Sequence, residues 1–475
     1  MMKKKGVIEQ EIIKKITPTT QERAKIEALG KQLEQKVASA CKAQNLKATV
    51  RVEGSVAKDT WIREAPDIDL FMRLPNSIPR KQLGETSLKI ARNATRGSPQ
   101  IERFAEHPYL ETFVDGVRVN IVPCYDVKPG EWLSATDRTP MHTDYIKKHL
   151  GKSLRCEVRL LKKFLKGIGS YGAEIKTGGF SGYLCELLIL HYKSFLSTLN
   201  EFAQYGQHLT IDIEDYYEGK QRELTKIFPN PFVVVDPVDE GRNVASAVHK
   251  QKLYTLIAAS RVYLKKPSTT FFYPPKTKPL SAQALKERID NLGSSMIFLI
   301  SDQIKSVPDV LWGQLYRTKR ALRKQVELND FRVLRDAAWS DEKTLNIFIL
   351  EIEQLAIPNI KKHLGPPLER KSESENFLSK YSGNNAVVSG PYIEEGRWVV
   401  ELRRKYPDVT QLLSEIMKNG GKNVGIADLI SKAFRKKLEV LVDTEVIEIY
   451  SRNEEFSEFL TDFLSGKPFW LEEER

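Results

Sequence analysis

The chain has 475 residues, 41% of them hydrophobic and 29% charged, and a formal net charge of +12. That length leaves room for two to four domains with separate cores, and the positive excess favours an anionic partner such as nucleic acid. No apolar run approaches the ~18 residues a membrane span needs, and Cys41, Cys124, Cys156 and Cys185 form no C-x-x-C pair, which argues against a zinc site or disulfide framework and for a reducing, cytoplasmic setting.

In chain order, residues 19–44 read as an amphipathic helix with Ile26, Leu29, Leu33, Val37 and Cys41 on one face. Residues 48–53 alternate apolar and polar as a half-buried strand does, and Gly54-Ser55 breaks the pattern. Further strands are predicted over 67–73 and 117–122, the latter entered through an Asp115-Gly116 hairpin turn. With helices between them, these strands make an α/β head ending near residue 150. Helices over 153–168, 181–204 and 244–265 suggest a mostly helical region to about 275. There Pro274-Pro275-Lys276-Thr277-Lys278-Pro279 can continue neither helix nor sheet. Beyond it, strands over 296–300, 331–338 and 346–352 with a helix over 309–328 give a β-α-β-β order that suggests a ferredoxin-like sheet. Gly365-Pro366-Pro367 and 372–384 read as loops or segment starts.

The chemistry concentrates at Asp67-Ile68-Asp69, preceded by Gly54-Ser55. On a strand, Asp67 and Asp69 share one face while Ile68 and Leu70 take the other. Two adjacent carboxylates repel unless a divalent cation lies between them, and oxygen-only ligands favour Mg²⁺. D-x-D alone is common on exposed strand edges, so the preceding Gly-Ser carries the reading. Gly54 lets the backbone approach a ligand, and Ser55 with the next amides would open a helix whose N-terminus attracts phosphate. Lysine and arginine are spread along the chain, which suits a folded basic surface around a structured RNA better than a disordered basic arm.

Gly-Ser, a spacer and then Asp-h-Asp (h being apolar) is the signature of the polymerase-beta-like nucleotidyltransferases, and the chain more specifically resembles the archaeal (class I) CCA-adding enzymes. The likeness runs through ordered blocks: 54–61, Ala105-Glu106-His107-Pro108-Tyr109, Val122-Pro123-Cys124-Tyr125, Asp137-Arg138-Thr139-Pro140, 157–162, 171–174, 179–187, Asp236-Pro237-Val238-Asp239 with Arg242-Asn243-Val244-Ala245, and, more weakly, Gly396-Arg397-Trp398 and 421–425. The fold implied is α+β and multidomain: a nucleotidyltransferase head over 1–150, a helical central neck over 151–275, and a C-terminal tRNA-binding body and tail over 276–475 with a ferredoxin- or RRM-like sheet and a helical end. The activity implied is template-independent addition of C, C and A to the tRNA 3′ end from CTP and ATP. Mg²⁺ is the implied cofactor, with Mn²⁺ as a substitute. The partner is the acceptor stem and top half of tRNA; no membrane is involved, and a homodimer stays open.

By the same resemblance Asp67 and Asp69 bind metal. Ser55, Lys162 and Tyr171 grip the triphosphate, and Lys58 stands at the basic position of the Gly54–Ser55 phosphate turn. Arg242 reads the base, its bland alternative being an ion pair with Asp239 or Glu240. Thr139, His142 and His107 lie near the nucleoside and primer end. One departure stands out. Where the family carries a third carboxylate in Val-Asp-h-Val-Pro, this chain has Asn120 in Val119-Asn120-Ile121-Val122-Pro123. Val119 and Ile121 should face the core and Asn120 the two aspartates. An amide oxygen can ligate a hard cation but brings no charge, so Asn120 is expected to spare nucleotide binding and weaken chemistry. The alternatives are a catalytically silent tRNA-end binder and a related poly(A)-polymerase-like enzyme.

Overall fold

The computed structural model describes residues 2–104 and 106–471, so Ala105 of the second block lies outside the described residues. The chain divides into two compact units. One comprises the described residues up to Lys276 and those from Lys467 on, and the other is Thr277–Gly466.

In the first unit, Thr19 and Glu22 form a reciprocal cap that starts the Thr20–Ala43 helix. Its predicted face of Ile26, Leu29, Leu33, Val37 and Cys41 is buried. The strands that follow are β1 (Thr49–Glu53), β2 (Asp67–Leu74), β3 (Gln100–Phe104), β4 (Pro108–Val114) and β5 (Val117–Tyr125). They form one sheet in the order β1-β2-β5-β4-β3, with β2 parallel to β5 and the other pairs antiparallel. Ile68, Leu70 and Met72 of β2 and Val119 and Ile121 of β5 share a core with Leu29, Leu33, Leu83 and Leu88 of flanking helices. Burying that face leaves the alternate residues Asp67, Asp69, Arg118 and Asn120 on the other. Asp115 (φ 50) and Gly116 (φ 77) make the expected hairpin turn before β5. β3 and β4 were not expected: β3 is largely exposed and carries no alternating pattern.

The Leu154–Gly167 helix matches the prediction, whereas the helix expected over 181–204 is two helices, Gly182–Tyr192 and Phe195–Ala203. Lys193 turns left-handed (φ 68), and the Ser194 hydroxyl accepts from the Ser197 amide to start the second helix. The helix expected from 244 begins only at Lys250, because the Val244 amide is tied to the Val234 carbonyl. The region also holds strands where none were expected: β6 (Leu209–Ile211), β7 (Phe232–Asp236) and β8 (Asp239–Asn243). β7 is buried at every position, so it shows no alternation to read. Residues 467–471, assigned from sequence to the C-terminal body, join the first unit, where Trp470 stacks on Phe271 beside Phe164 and Tyr263.

The second unit contains β9 (Ser295–Asp302), β10 (Val333–Ser340), β11 (Leu345–Ile352), β12 (Ile360–Pro367), β13 (Val387–Glu394), β14 (Arg397–Arg403) and β15 (Glu439–Val442). An antiparallel sheet ordered β10-β11-β9-β15, with the Pro308–Leu328 and Asp428–Lys436 helices on one face, completes the ferredoxin-like pattern. Between β11 and the second of those helices, the chain inserts a small sheet, β12-β14-β13, backed by the Lys371–Tyr381 helix through Phe377, Tyr381 and Val400. Gly365-Pro366-Pro367 therefore lies within β12, and most of 372–384 is helix rather than loop. Edge position lets β12 tolerate its prolines.

Candidate active site

The parallel register of β2 and β5 sets Asp67 opposite Arg118 and Asp69 opposite Asn120. Asn120 Nδ2 donates to Asp69 Oδ1 at 3.0 Å. Arg118 engages both oxygens of Asp67 through Nε and Nη2. The row continues across the sheet, with Glu53 of β1 beside Asp69 and Glu111 of β4 beside Asn120. Glu53 is paired with Arg51 and Glu111 with Arg103 (2.8 Å). Among the described residues Asp69 is the one carboxylate of this row that forms no ion pair. Part of its side chain stays exposed, yet protein crowds the carboxyl, and lost solvation pushes it up to about 6 against the downward pull of the Asn120 hydrogen bond.

The phosphate turn lies against this pair. Gly54 has φ 68, and a side chain there would collide with the Asp69 carboxyl, so the position demands glycine on both counts. Gly54 to Ala57 form a single helical turn that holds Ser55 half-buried. The Gly54 amide donates to Thr143 Oγ1 (3.3 Å), whose hydroxyl in turn donates to the Thr139 carbonyl (3.2 Å). Thr139 thus opens the Thr139–His149 helix and braces the turn through that helix.

Lys58 and Lys162, expected at the phosphates, meet at a buried carboxylate that the sequence reading did not assign. Glu186 accepts from Lys58 Nζ (2.5 Å) and Lys162 Nζ (3.2 Å), and from the Thr60 hydroxyl. Burial alone would raise the Glu186 carboxyl, but the two lysines hold it below its ordinary range. Burial pushes Lys162 down in spite of Glu186. Two lysines against one glutamate leave one positive charge in excess. Tyr171 and Lys162 both reach the backbone at Gly182, where an added side chain would meet the tyrosine hydroxyl at 3.1 Å and the Lys162 Nζ at 3.5 Å. Burial raises the Tyr171 phenol far above its usual range, so it stays protonated and able to donate.

A second unassigned carboxylate organises the remaining residues. Asp236, fully buried at the end of β7, accepts from Arg242 Nη1 (2.6 Å) and the Tyr183 hydroxyl (3.1 Å) and pairs with His142 Nε2 (2.9 Å). Arg242 therefore pairs with Asp236 rather than Asp239 or Glu240; Asp239 is taken by Arg138. Burial would raise Asp236, yet His142 and Arg242 bring it down to about 2. The His142 ring stacks on Tyr183 with centroids 4.0 Å apart, and burial lowers its pKa.

Among the described residues His107 forms no hydrogen bond to the members of this constellation. It immediately precedes β4, the strand that carries Glu111. It packs edge-on to Tyr125, and among the described residues its buried Nε2 has no partner. Three residues were missed from sequence, although signals were present. Arg118 is two positions from Asn120 and hence on its face. Glu186 is a lone acid in an apolar helix, and such a group has to be paired. Asp236 ends an apolar strand. Among the described residues no three His, Cys, Asp or Glu side chains cluster closely enough to hold a metal ion.

Three family patterns match the chain in order: the nucleotidyltransferase domain over residues 34–149, the tRNA nucleotidyltransferase second domain over 156–273, and the CCA-adding enzyme C-terminal domain over 293–443. The CCA-adding enzyme of Methanosarcina acetivorans is 35% identical over 94% of this chain and 96% of its own length. That of Methanothermobacter thermautotrophicus is 34% identical over 96% and 97%, and that of Pyrobaculum neutrophilum 37% identical over 84% and 91%.

Proposed function

This chain belongs to the archaeal CCA-adding enzymes, the tRNA nucleotidyltransferases that build the CCA end without a template, and from that membership we propose how its residues divide the work. The substrates are CTP, ATP and a tRNA lacking its 3′ CCA. The primer's 3′-hydroxyl attacks the α-phosphate, a new phosphodiester bond forms, and pyrophosphate leaves with the broken α–β bond.

Asp67, Asp69 and the amide oxygen of Asn120 would hold Mg²⁺, with Mn²⁺ as a substitute. The donor set fits, since all three are hard oxygens on adjacent strands and, among the described residues, the Asp69 carboxyl forms no ion pair. A divalent ion bound there supplies phosphate neutralisation and a lower hydroxyl pKa. Ser55 and the Gly54 turn receive phosphate, assisted by the excess positive charge of Lys58 and Lys162 and by the Tyr171 hydroxyl. Asp236 fixes Arg242 so that its remaining guanidinium hydrogens face a base edge. His142, kept neutral by burial, holds Asp236 in place, and Thr139 braces the turn. We assign tRNA acceptor-stem and top-half binding to the Thr277–Gly466 unit and the basic outer surface. We assign the head to 1–150 and the neck to 151–275. Four free thiols suit the reducing cytoplasm.

The single observation carrying this reading is the register that sets Asp69 against Asn120 beside Gly54. It is tested by incorporation of labelled CTP and ATP into tRNA lacking CCA, for the protein as it stands and for Asn120→Asp. Slow, ordered C-C-A addition is expected, accelerated roughly a hundredfold by the restored carboxylate, each tenfold being ~1.4 kcal/mol. Full-rate addition with no gain would refute the weakening by Asn120. tRNA binding without addition by either protein, under Mg²⁺ or Mn²⁺, would favour the silent tRNA-end binder that Asn120 motivates. Addition of A alone would favour a poly(A)-polymerase-like enzyme.

A further inference from the structure

The face that carries the candidate metal site also carries a cation. Arg118 stands on β5 beside Asp67, two residues from Asn120 and so on the same side of the sheet. Its guanidinium binds both oxygens of Asp67 in the fork geometry that suits arginine to a carboxylate. Asp67 holds Arg118 in its charged form, and Glu111 and Asp69 add to the attraction. A strand with a carboxylate at 120 and a neutral residue at 118 would leave Asp67 open to a hard cation. This strand has the reverse arrangement, an amide at 120 and a guanidinium at 118.

Arginine stays protonated at any working pH, so Arg118 keeps its charge beside Asp67. Release requires a competitor for one of the two partners: a divalent ion for the carboxylate, or phosphate oxygens for the guanidinium. A nucleoside triphosphate arriving with its ion brings both together.

We propose that Arg118 is a built-in counter-cation for Asp67 that gives up its place only when a metal-bearing nucleotide supplies a divalent ion for the carboxylate and phosphate oxygens for the guanidinium. The inference rests on Asp67 and Asp69 being metal ligands. Metal alone binds weakly, because it has to break a two-point ion pair. Metal with nucleotide binds well, because that pair is exchanged for two others. The two affinities are then coupled through one side chain, and the coupling is equal in both directions.

The test counts free Mn²⁺ by electron paramagnetic resonance during titration of the full chain, alone and with a non-reacting α,β-methylene analogue of CTP. Arg118→Ala and Arg118→Gln are compared with the protein as it stands; the side chain is half-exposed, so neither change opens a cavity. Both variants are expected to bind Mn²⁺ alone about fivefold or more tightly, and to gain correspondingly less from the analogue. Unchanged affinity with unchanged gain, or weaker binding in the variants, would overturn the proposal. Asp69→Asn separates its failure from that of the underlying reading. If Asp69→Asn holds Mn²⁺ with the analogue as well as the parent protein does, the ion is not held by the aspartate pair and the metal reading falls. If that variant loses the ion while the Arg118 variants match the parent, only the role of Arg118 falls.

Discussion

Asp69 and Asp236 are two enclosed carboxyls, and the protein treats them in opposite ways. Lost solvation pushes both upward, but Asp69 rises to about 6 whereas Asp236 falls to about 2. The difference lies in their partners. Asp236 has Arg242, His142 and Tyr183, a complete set of donors, whereas Asp69 has the neutral amide of Asn120. A carboxylate finished by the protein is a fixture that positions other groups. One left unfinished between neighbours that each have an arginine is a place for a cation from outside.

The sharpest way to break this contrast is Asp69→Asn. It should lower CTP incorporation roughly a thousandfold, a ~4 kcal/mol loss of transition-state stabilisation. Its melting temperature in EDTA should rise, because an amide replaces a carboxyl that burial penalises. A fall in both would make Asp69 a structural residue like Asp236. Glu186→Gln extends the test to the lysine pair. It leaves two buried ammonium groups without an anion and should cost about 3 kcal/mol in urea unfolding. A negligible cost would show that Lys58 and Lys162 reach water or phosphate instead.

Asp236→Asn should cost about 2 kcal/mol near neutral pH and blur the discrimination between CTP and ATP, seen in separate KM and kcat values. The sign with pH follows from the depressed pKa. The stabilisation is fully present above the ordinary aspartate value near 3.9, and is lost as pH falls through about 2. The difference in stability between the parent and Asp236→Asn should therefore shrink only in strong acid. A difference already gone at pH 5 would mean that Asp236 is not held ionised by its partners. The smallest effect is expected on the stability of Asn120→Asp, which places a second carboxylate against Asp69. About 1 kcal/mol should be lost in EDTA and recovered in Mg²⁺, read as paired melting temperatures. Equal melting under both conditions would argue that no ion sits between the two positions.

Much of this was legible from local pattern. The Thr20–Ala43 helix, β2 and β5 turn one face to a core, which leaves a periodic trace, whereas β9 and β11 of the ferredoxin-like sheet are buried almost throughout and were legible as continuous apolar runs. β7 is buried on both sides as well, but its apolar run is only Phe232–Val235, too short to stand out, and β3 left no trace because it is exposed on both. The break at Lys193 was hidden because the chain is apolar on either side of it, and only a left-handed backbone divides the two helices. For His107 the block was legible, but its packing edge-on to Tyr125 was not.

By itself, the sequence determined which residues share a face: Asp67 with Asp69, Arg118 with Asn120, and the apolar residues between them turned to the core. Alternation along one strand is a local property of backbone geometry, and no partner is needed to establish it. The tertiary structure alone decided which face met which. The parallel register of β2 and β5 assigned Arg118 to Asp67 and Asn120 to Asp69. Packing of distant segments brought Glu186 to Lys58 and Asp236 to His142. Charge pairing depends on distances between residues a hundred or so positions apart in the chain, and those distances are set by burial of the apolar faces, not by the charged residues themselves.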